Sequence, residues 1–323
     1  MHSWLLLFAF TALVRGAVVP VSVPSTEPQV DAVDIEVSRV KAVAASVVTV
    51  VSAGQLASFS PYTQFARAAY CPSEKLTNWN CGDACAATSG FVPTLTGGDG
   101  NGVQRFYVGY WPSQNSIVVS HQGLDRRQFL SLLTAGDIFQ DQLDPALFPG
   151  VPSSIGVHGG FAEAHGDTAE TILAETKKLI ASRGATTVTL VGHSLGGAIA
   201  ALDAIYLKLH LPSNIHIKVV TYGLPRVGNA AWVSYFDSQI PDFVRINNKK
   251  DPVPILPGRG LGFGHTHGEI HLNGPGNAVA CEPNDNADDS RCTITTVPNI
   301  FVSNIDDHRG PYEGISIGSS ACV

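Results

Sequence analysis

The chain has 323 residues, of which 44% are apolar and 15% are charged, so it can bury a large core in one large or two small domains. Its formal net charge is −7 at pH 7, and no acidic or basic block interrupts the sequence. This charge excludes the basic footprint of a nucleic-acid-binding protein. Any contact with lipid is therefore expected to come from apolar burial and not from attraction to anionic headgroups.

The N-terminus has the pattern of an export signal. Residues 5–14 form a short apolar run, and Gly16 provides a small residue at a cleavage site. The run is too short to serve as a stable membrane-spanning anchor, and the later apolar segments are also short of that length. The pattern predicts a signal peptide over residues 1–16 and a secreted, extracellular protein without an integral membrane segment.

The segment after the signal differs in composition from the rest of the chain. Residues 17–54 contain Val, Ala, Ser and Pro with few aromatic residues, which favours a propeptide or a loosely attached N-terminal segment. An ordinary N-terminal helix is the alternative. We expect the main domain to span residues 55–323.

Six cysteines agree with export, since an even number in a secreted chain favours disulfide bonds. Two pairs are close enough in sequence to close local loops, and the remaining pair would join the two ends of the domain. A zinc site is the alternative, but the spacing lacks the paired short CxxC units of such a site. The expected pairs are Cys81–Cys85, Cys281–Cys292 and Cys71–Cys322.

Strand and helix patterns alternate through the central half of the chain, which predicts an α/β protein with a largely parallel sheet and helices on both faces. A stretch rich in Gly, Pro, Asn and Asp at 273–291 is expected to be a surface loop. The other predicted elements are a helix at 65–70, hairpin strands at 104–110 and 116–120, a helix at 167–182, a strand from 187, a helix at 195–211, and strands at 215–222 and 243–247.

The most informative motif is Gly-His-Ser-Leu-Gly at residues 192–196. A β-branched run precedes it and an Ala-rich helical stretch follows, the order that a nucleophile elbow requires. Gly192 and Gly196 leave room for the strained turn, and Ser194 would lie at a helix N-terminus that favours a developing oxyanion. The alternative is an ordinary glycine-rich turn whose serine caps the helix.

A serine nucleophile needs a base and an orienting carboxylate, and in this fold class they follow Ser194 in the order acid, then histidine. Asp251 is the preferred acid because it follows a short strand and precedes two prolines that restrict the backbone. Asp237 and Asp242 are rivals, but they flank a helix end where Asp is a common cap. His308, in a late polar loop, is the preferred base. The alternative is that His308 is an ordinary surface histidine in an acidic turn.

A second cluster invites a metal interpretation. On one strand His265, His267, Glu269 and His271 would share a face. Gly268 interrupts the pattern, and a Ser-His-Asp set needs no metal. We therefore expect a polar structural strand, with neither metal nor cofactor.

These motifs together resemble the secreted fungal class 3 lipases, a family that includes triacylglycerol lipases and feruloyl esterases. The resemblance covers about residues 59–323. It implies the α/β-hydrolase fold, the triad Ser194, Asp251 and His308, and the same three disulfides. The motifs that carry it are AAYC at 68–71, VHGGF at 157–161, GHSLGGA at 192–198, TYGLPRVGN at 221–229, DPVP at 251–254, and His308 with Tyr312.

The oxyanion hole is expected to use two backbone N–H groups, those of Leu195 and Leu124. Members of the family usually have Ser or Thr at the position of Leu124, which follows Gly123. The leucine keeps the backbone donor but removes the hydroxyl donor. Since losing one such donor costs on the order of 10²–10³ in rate, we expect reduced activity or a reshaped acyl pocket.

The resemblance places a short helical lid directly after this loop. On a helix the apolar side chains would share one face, which could cover the site in water and turn toward lipid at an interface. A plain amphipathic surface helix is the alternative. The predicted lid residues are Arg126, Arg127, Phe129, Leu130, Leu132 and Leu133.

The sequence thus predicts a secreted lipase that acts as a monomer through an acyl-enzyme on a lipid or ester substrate at an oil–water interface. The apolar lid favours acylglycerols. A feruloyl or other soluble-ester esterase is one alternative, and a catalytically weak lipid-binding relative, suggested by Leu124, is the other.

Overall fold

A computed structural model describes residues 48–124, 139–286 and 288–322. These ranges contain thirteen strands in two sheets. The strands are β1 (Val48–Val50), β2 (Val92–Gly97), β3 (Phe106–Trp111), β4 (Ser116–His121), β5 (Gln140–Gln142), β6 (Gly156–His158), β7 (Thr187–His193), β8 (His216–Tyr222), β9 (Gly228–Asn229), β10 (Phe243–Asn248), β11 (Phe263–Gly264), β12 (Glu269–Gly274) and β13 (Asn277–Cys281).

The same ranges contain nine α-helices. They are α1 (Ala53–Ser58), α2 (Ser60–Ala68), α3 (Ser73–Thr77), α4 (Asp83–Ala87), α5 (Gly159–Gly166), α6 (Ala169–Arg183), α7 (Leu195–His210), α8 (Ala230–Gln239) and α9 (Thr293–Thr296). Local signals mark several ends. Gly184 ends α6 in a left-handed conformation, and the Asn229 side chain caps α8 by accepting from the Trp232 N–H.

The larger sheet has the strand order β1-β13-β12-β10-β8-β7-β4-β3-β2. Its five central strands, from β12 to β4, pair in parallel, and the outer strands pair antiparallel. Parallel neighbours need crossover connections, and those from β4 to β7, β7 to β8 and β8 to β10 contain α-helices. Within the described residues, the connection from β10 to β12 contains no α-helix. The predicted α/β class with a mostly parallel sheet is confirmed, and so is the predicted hairpin, formed by β3 and β4.

Helix α7 lies in the middle of the core. All its residues from Leu195 to Leu207 are buried, and it contacts β4, β7 and β8. A helix that is apolar on every side is stable only when it is enclosed, so this position follows from the Ala- and Leu-rich sequence. The start of α7, directly after Ser194, is therefore held by a helix that is packed in the core.

The edge of the larger sheet that contains β1 differs from the sequence-based expectation in two respects. Strand β1 pairs with β13, so residues 48–50, within the predicted propeptide or N-terminal segment, belong to the sheet. The expectation of a loop over 273–291 is partly wrong, because β13 at Asn277–Cys281 lies in the sheet between β12 and β1. The apolar residues Ala-Val-Ala at 278–280 form this strand despite the turn-forming residues on either side.

Three disulfides join the six cysteines in the pairing expected from the sequence. Cys71–Cys322 spans 251 residues, whereas Cys81–Cys85 spans 4 and Cys281–Cys292 spans 11. The first bond ties the end of the chain to the segment just after α2. It therefore also restrains the segment that carries His308, which lies between α9 and Cys322.

Within the described ranges, no helix is long and apolar enough to cross a membrane. The predicted signal peptide and most of the segment 17–54 lie outside these ranges. The six predicted lid residues, between 126 and 133, also lie outside the described residues.

Candidate active site

The predicted elbow forms at the end of β7. Ser194 has φ 59° and ψ −130°, a strained conformation for a residue with a side chain, and α7 begins at the next residue. A Cβ at Gly192 would lie 2.1 Å from the Gly196 carbonyl oxygen, and a Cβ at Gly196 would lie 2.3 Å from the His121 carbonyl oxygen. Both positions therefore require glycine, because no side chain fits between these backbones.

Asp251 and His308 form a buried pair. The Asp251 Oδ2 lies 2.8 Å from His308 Nδ1, while Oδ1 accepts a hydrogen bond from the Val253 N–H at 2.8 Å. Asp251 follows β10 in a turn closed by its own N–H, which donates to the Asn248 carbonyl. With both carboxylate oxygens engaged, the acid has one orientation and fixes the imidazole plane.

The backbone around Gly223 brings the pair to the elbow. The Ser194 N–H donates to the Tyr222 carbonyl at 2.9 Å. A Cβ at the next residue, Gly223, would lie 2.7 Å from His308 Nδ1 and 2.8 Å from Asp251 Oδ2. The structure thus brings together the three residues that the sequence singles out, and Gly223 is the residue whose missing side chain permits it.

A polar network that the sequence analysis did not assign lies behind this pair. His193 Nδ1 is 2.6 Å from the Tyr70 hydroxyl, and its Nε2 is 2.7 Å from the His308 carbonyl oxygen. A carbonyl can only accept, so Nε2 carries the proton and Tyr70 donates to Nδ1. The Gly123 N–H donates to the Tyr70 oxygen, and the Tyr312 hydroxyl donates to the His308 carbonyl.

The ionisation of the network agrees with this assignment. Burial of the ring and the neighbouring His308 hold the pKa of His193 well below 6.5, so the ring is neutral near pH 7. Burial raises the pKa of Tyr70, which therefore keeps its proton. The His193 ring also packs on the His308 ring, with centroids 4.3 Å apart. The network thus connects the Gly123 loop to the backbone of His308.

The loop after β4 lies directly against the elbow. A Cβ at Gly123 would lie 2.8 Å from the Ser194 Cβ and 2.5 Å from the His193 carbonyl oxygen. Leu195 is the first residue of α7, so no helical carbonyl one turn earlier accepts a hydrogen bond from its N–H. Leu124 is half-buried and its side chain packs on the core. Both predicted oxyanion donors therefore belong to backbone segments that adjoin Ser194.

A cavity of about 250 Å³ adjoins the pair. Leu124 and Ile305 provide an apolar side, and Arg309, Ser319 and Ser320 provide a polar side. His308 also lines it. Ser194 itself is fully buried, and its Oγ makes no hydrogen bond within the described ranges.

A second buried cluster, also not anticipated from the sequence, supports the oxyanion loop from the other side. Asp203 on α7 lies 2.7 Å from His121 Nε2 and 3.2 Å from His165 Nε2, and all three side chains are essentially inaccessible to solvent. Burial raises the pKa of Asp203, but the hydrogen bond from His121 and the nearby His165 ring outweigh it and lower this pKa to about 2. His121 ends β4, so this carboxylate links the strand before Gln122 and Gly123 to the nucleophile helix.

The expectation that residues 265–271 form one polar strand is partly wrong, because Glu269 and His271 lie on a strand whereas His265 and His267 precede it. Strand β12 begins only at Glu269, because Gly268 has φ +80°. The side chains turn to separate partners: His265 to the Pro254 carbonyl, His267 to Asp237, Glu269 to Arg245, and His271 to two carbonyls. Within the described ranges, the group whose ligand atoms converge is Glu269 with Cys281 and Cys292, and those cysteines form a disulfide.

The rival acids lie elsewhere. Asp237 bonds to His267 and Asn284, and Asp242 bonds to His216 and Lys218 near the surface. None of these hydrogen bonds involves His308. Asp251 is the acid that the fold places beside the histidine.

A parallel α/β sheet, a serine in a strained elbow and a histidine–carboxylate pair define a serine hydrolase of the α/β-hydrolase class. Comparison with known proteins gives the same class. A family model described as Lipase (class 3) matches residues 118–261. The lipase of Rhizomucor miehei in complex with its propeptide superposes with a TM-score of 0.73 at 25% identity, covering 85% of each chain. A lipase of Rhizopus microsporus var. chinensis gives 0.72 at 26%, covering 85% of this chain and 92% of that one.

The curated relatives narrow the class to a family. A secreted mono- and diacylglycerol lipase of Malassezia globosa is 31% identical over 225 residues, or 69% of this chain and 72% of the relative. A secreted mono- and diacylglycerol lipase of Fusarium solani is 30% identical over 232 residues, or 69% and 66%. The chain belongs to the class 3 lipase family and is a carboxylic ester hydrolase, as its resemblance predicts.

Proposed function

We propose that the chain is a secreted lipase that hydrolyses acylglycerol esters through an acyl-enzyme on Ser194. The observation that carries the assignment of residues is the 2.8 Å contact between His308 Nδ1 and Asp251 Oδ2, beside a serine with φ 59° at the start of α7. The relatives are named mono- and diacylglycerol lipases, which supports acylglycerols as the ester class.

The hydrogen bonds determine the direction of proton transfer in this proposal. A carboxylate only accepts, so His308 donates from Nδ1 to Asp251 and keeps the lone pair on Nε2. Nε2 takes the Ser194 proton as Oγ attacks the ester carbonyl, and returns it to the leaving alcohol. Water then attacks the acyl-enzyme with the same base. Asp251 stabilises the imidazolium that forms in each step.

The N–H groups of Leu195 and Leu124 hold the developing oxyanion. The first lies at the N-terminus of α7, where the helix dipole favours negative charge. The second follows Gly123, whose Cα lies against Ser194 and whose N–H is bonded to Tyr70. The Leu124 side chain offers no third donor, so this oxyanion hole depends on backbone geometry alone.

The setting of the enzyme follows from the sequence and the bonding. Three disulfides suit an oxidising compartment, and the relatives are named secreted lipases, so we assign residues 1–16 to a signal peptide and the mature protein to the extracellular space. Because Ser194 is fully buried, an ester needs a covering element to move. Residues 126–133 are the proposed lid, and the enzyme works as a monomer at the oil–water interface.

Replacing Ser194 by Ala tests the nucleophile. We expect the variant to lose hydrolysis of p-nitrophenyl butyrate and labelling by a serine-directed phosphonate. Ser234→Ala is the matched control, because Ser234 is exposed on α8 and bonds only to a carbonyl of its own helix among the described residues. Retained hydrolysis in Ser194→Ala would refute the mechanism. Failure of the unchanged protein to take the label would favour a lipid-binding relative.

A soluble-ester esterase is the second candidate, favoured by the polar side of the cavity at Arg309, Ser319 and Ser320. The two candidates differ in their response to an interface. The rate on a short-chain triacylglycerol should rise steeply when its concentration passes the solubility limit if the enzyme is a lid-gated lipase. A rate that saturates below that limit, with faster turnover of feruloyl esters, would identify the esterase.

A further inference from the structure

An exposed apolar turn lies close to the candidate active site in sequence and in the fold. Ile300, Phe301 and Val302 form a single 3₁₀ turn, and their exposed fractions are 53%, 90% and 45%. Three consecutive apolar residues in solvent carry a cost that a soluble protein normally avoids. The turn follows α9 and precedes the segment that carries His308.

Hydrogen bonds hold this turn in place. The Asn299 side chain accepts from the Phe301 N–H at 3.0 Å and caps the turn at its start. The Ser303 hydroxyl donates to the Ile300 carbonyl at 2.7 Å and closes it at its end. The Asn304 N–H then donates to the Lys250 carbonyl, next to Asp251, at 2.8 Å. The exposure of Phe301 is therefore imposed by the backbone.

The turn is also near the opening of the cavity. Ile305 lines the cavity together with Leu124 and His308, and Phe301 is four residues before it. Four residues span at most about 14 Å, so the Cα of Phe301 lies within that distance of the Cα of Ile305 at the cavity wall. A surface that contacts the turn would contact the protein beside the place where an ester must enter.

We propose that the turn Ile300–Val302 inserts into the surface of aggregated lipid and docks the enzyme on its substrate phase. This inference rests on the proposed function, since it names the physical state of the acylglycerol that the site engages. The flanking residues Asn299, Ser303 and Asn304 are polar, so an apolar tip enters the acyl region while amides and a hydroxyl remain at the headgroup level.

The size of the patch favours lipid over a second copy of the chain. An aromatic side chain can bury about 150–250 Å², and two flanking aliphatic residues roughly double that area. A stable protein dimer buries about 800 Å² on each partner. A lipid surface does not have to match the shape of the protein, so a small apolar turn is enough for the protein to partition onto it. We expect the chain to remain monomeric.

The test measures binding without hydrolysis. In the Ser194→Ala background, flotation with phosphatidylcholine vesicles containing dioleoylglycerol gives the partition coefficient. Phe301→Ser should lower it about tenfold or more, because a buried Phe side chain contributes about 1.5–3 kcal/mol of transfer energy and 1.4 kcal/mol is tenfold. Phe301→Trp should keep or raise it, since Trp suits the interface. Val50→Ser is the control, because Val50 is 75% exposed on the edge strand β1.

Kinetics complete the test in the active enzyme. Phe301→Ser should leave kcat/KM on soluble p-nitrophenyl butyrate within twofold and lower the rate on emulsified dioleoylglycerol. Unchanged vesicle binding in Phe301→Ser, or an equal loss in Val50→Ser, would overturn the proposal. A shift from dimer to monomer on light scattering, with lipid binding retained, would instead assign the turn to self-association. Failure of the proposed function would be distinguished from failure of this proposal, because Ser194→Ala would then retain hydrolysis.

Discussion

The Tyr70 hydroxyl offers the sharpest test of how the site is held. Tyr70→Phe removes one buried oxygen and leaves the volume of the ring unchanged. It deprives two buried groups of their partner: the Gly123 N–H and Nδ1 of His193. His193 cannot compensate by changing tautomer, because its Nε2 proton is held by the His308 carbonyl.

The expected magnitude follows from these two groups. Each unsatisfied buried polar group costs about 1–3 kcal/mol, so the loss of two partners should lower the free energy of unfolding by about 2–6 kcal/mol. The Gly123 amide also orients the next N–H, that of Leu124, so we expect kcat on p-nitrophenyl butyrate to fall on the order of tenfold with KM within twofold. A purely structural role would lower stability and leave kcat of the folded enzyme unchanged.

Urea unfolding followed by tryptophan fluorescence, with the disulfides intact, measures the first quantity, and initial rates measure the second. Tyr235→Phe is the matched control, because the Tyr235 hydroxyl has no hydrogen bond to the part of the chain described here and its pKa is raised by burial alone. If Tyr70→Phe matched Tyr235→Phe in both stability and kcat, the assignment of the Gly123–Tyr70–His193 chain as a positioning device would be refuted.

Three further predictions concern other parts of the molecule. Leu124→Thr should introduce a hydroxyl donor and raise kcat on the soluble ester on the order of tenfold. Leu124→Val should not, because valine has the shape of threonine but no hydroxyl; equal rates for these two variants would contradict the prediction. The pKa of Asp203 is about 2 in the folded protein and 3.8 for an ordinary aspartate, a difference that adds about 2 kcal/mol of stability above pH 4. This stability is lost as the pH falls toward 2. The difference in Tm between Asp203→Asn and the unchanged protein should therefore shrink over that range, and a constant difference would exclude the linkage. Removing Cys71–Cys322 should cost about 5 kcal/mol in the chain-entropy treatment and removing Cys81–Cys85 about 2 kcal/mol, because their spans are 251 and 4 residues; similar losses in urea unfolding would argue against an entropic origin.

Local patterns account for what could be predicted of the site. The elbow is predictable because its requirements lie within five residues: Gly192 and Gly196 are needed where backbones approach to about 2 Å of an added Cβ. Asp251 was recognisable from a strand followed by prolines. The catalytic roles of Ser194, Asp251 and His308 stay predictions until the variants are measured, although the fold brings these residues together.

Contacts between distant segments account for what could not be predicted. Tyr70 and His193 are 123 residues apart, and His121 and Asp203 are 82 apart, so neither pairing leaves a local signal. The buried aspartate on α7 was hidden in an otherwise apolar helix. Composition was misleading at residues 277–281, where flanking turn residues obscured a strand that is stabilised by pairing on both sides.

The edge strand β1 has a practical consequence for recombinant production. A truncated chain that starts at residue 55 would lack Val48–Val50 and leave the backbone of β13 unpaired along Val279 to Cys281. An open, apolar sheet edge recruits other chains and promotes aggregation. Expression boundaries should therefore lie before residue 48, and a protease site intended to release a leader should be placed upstream of that strand.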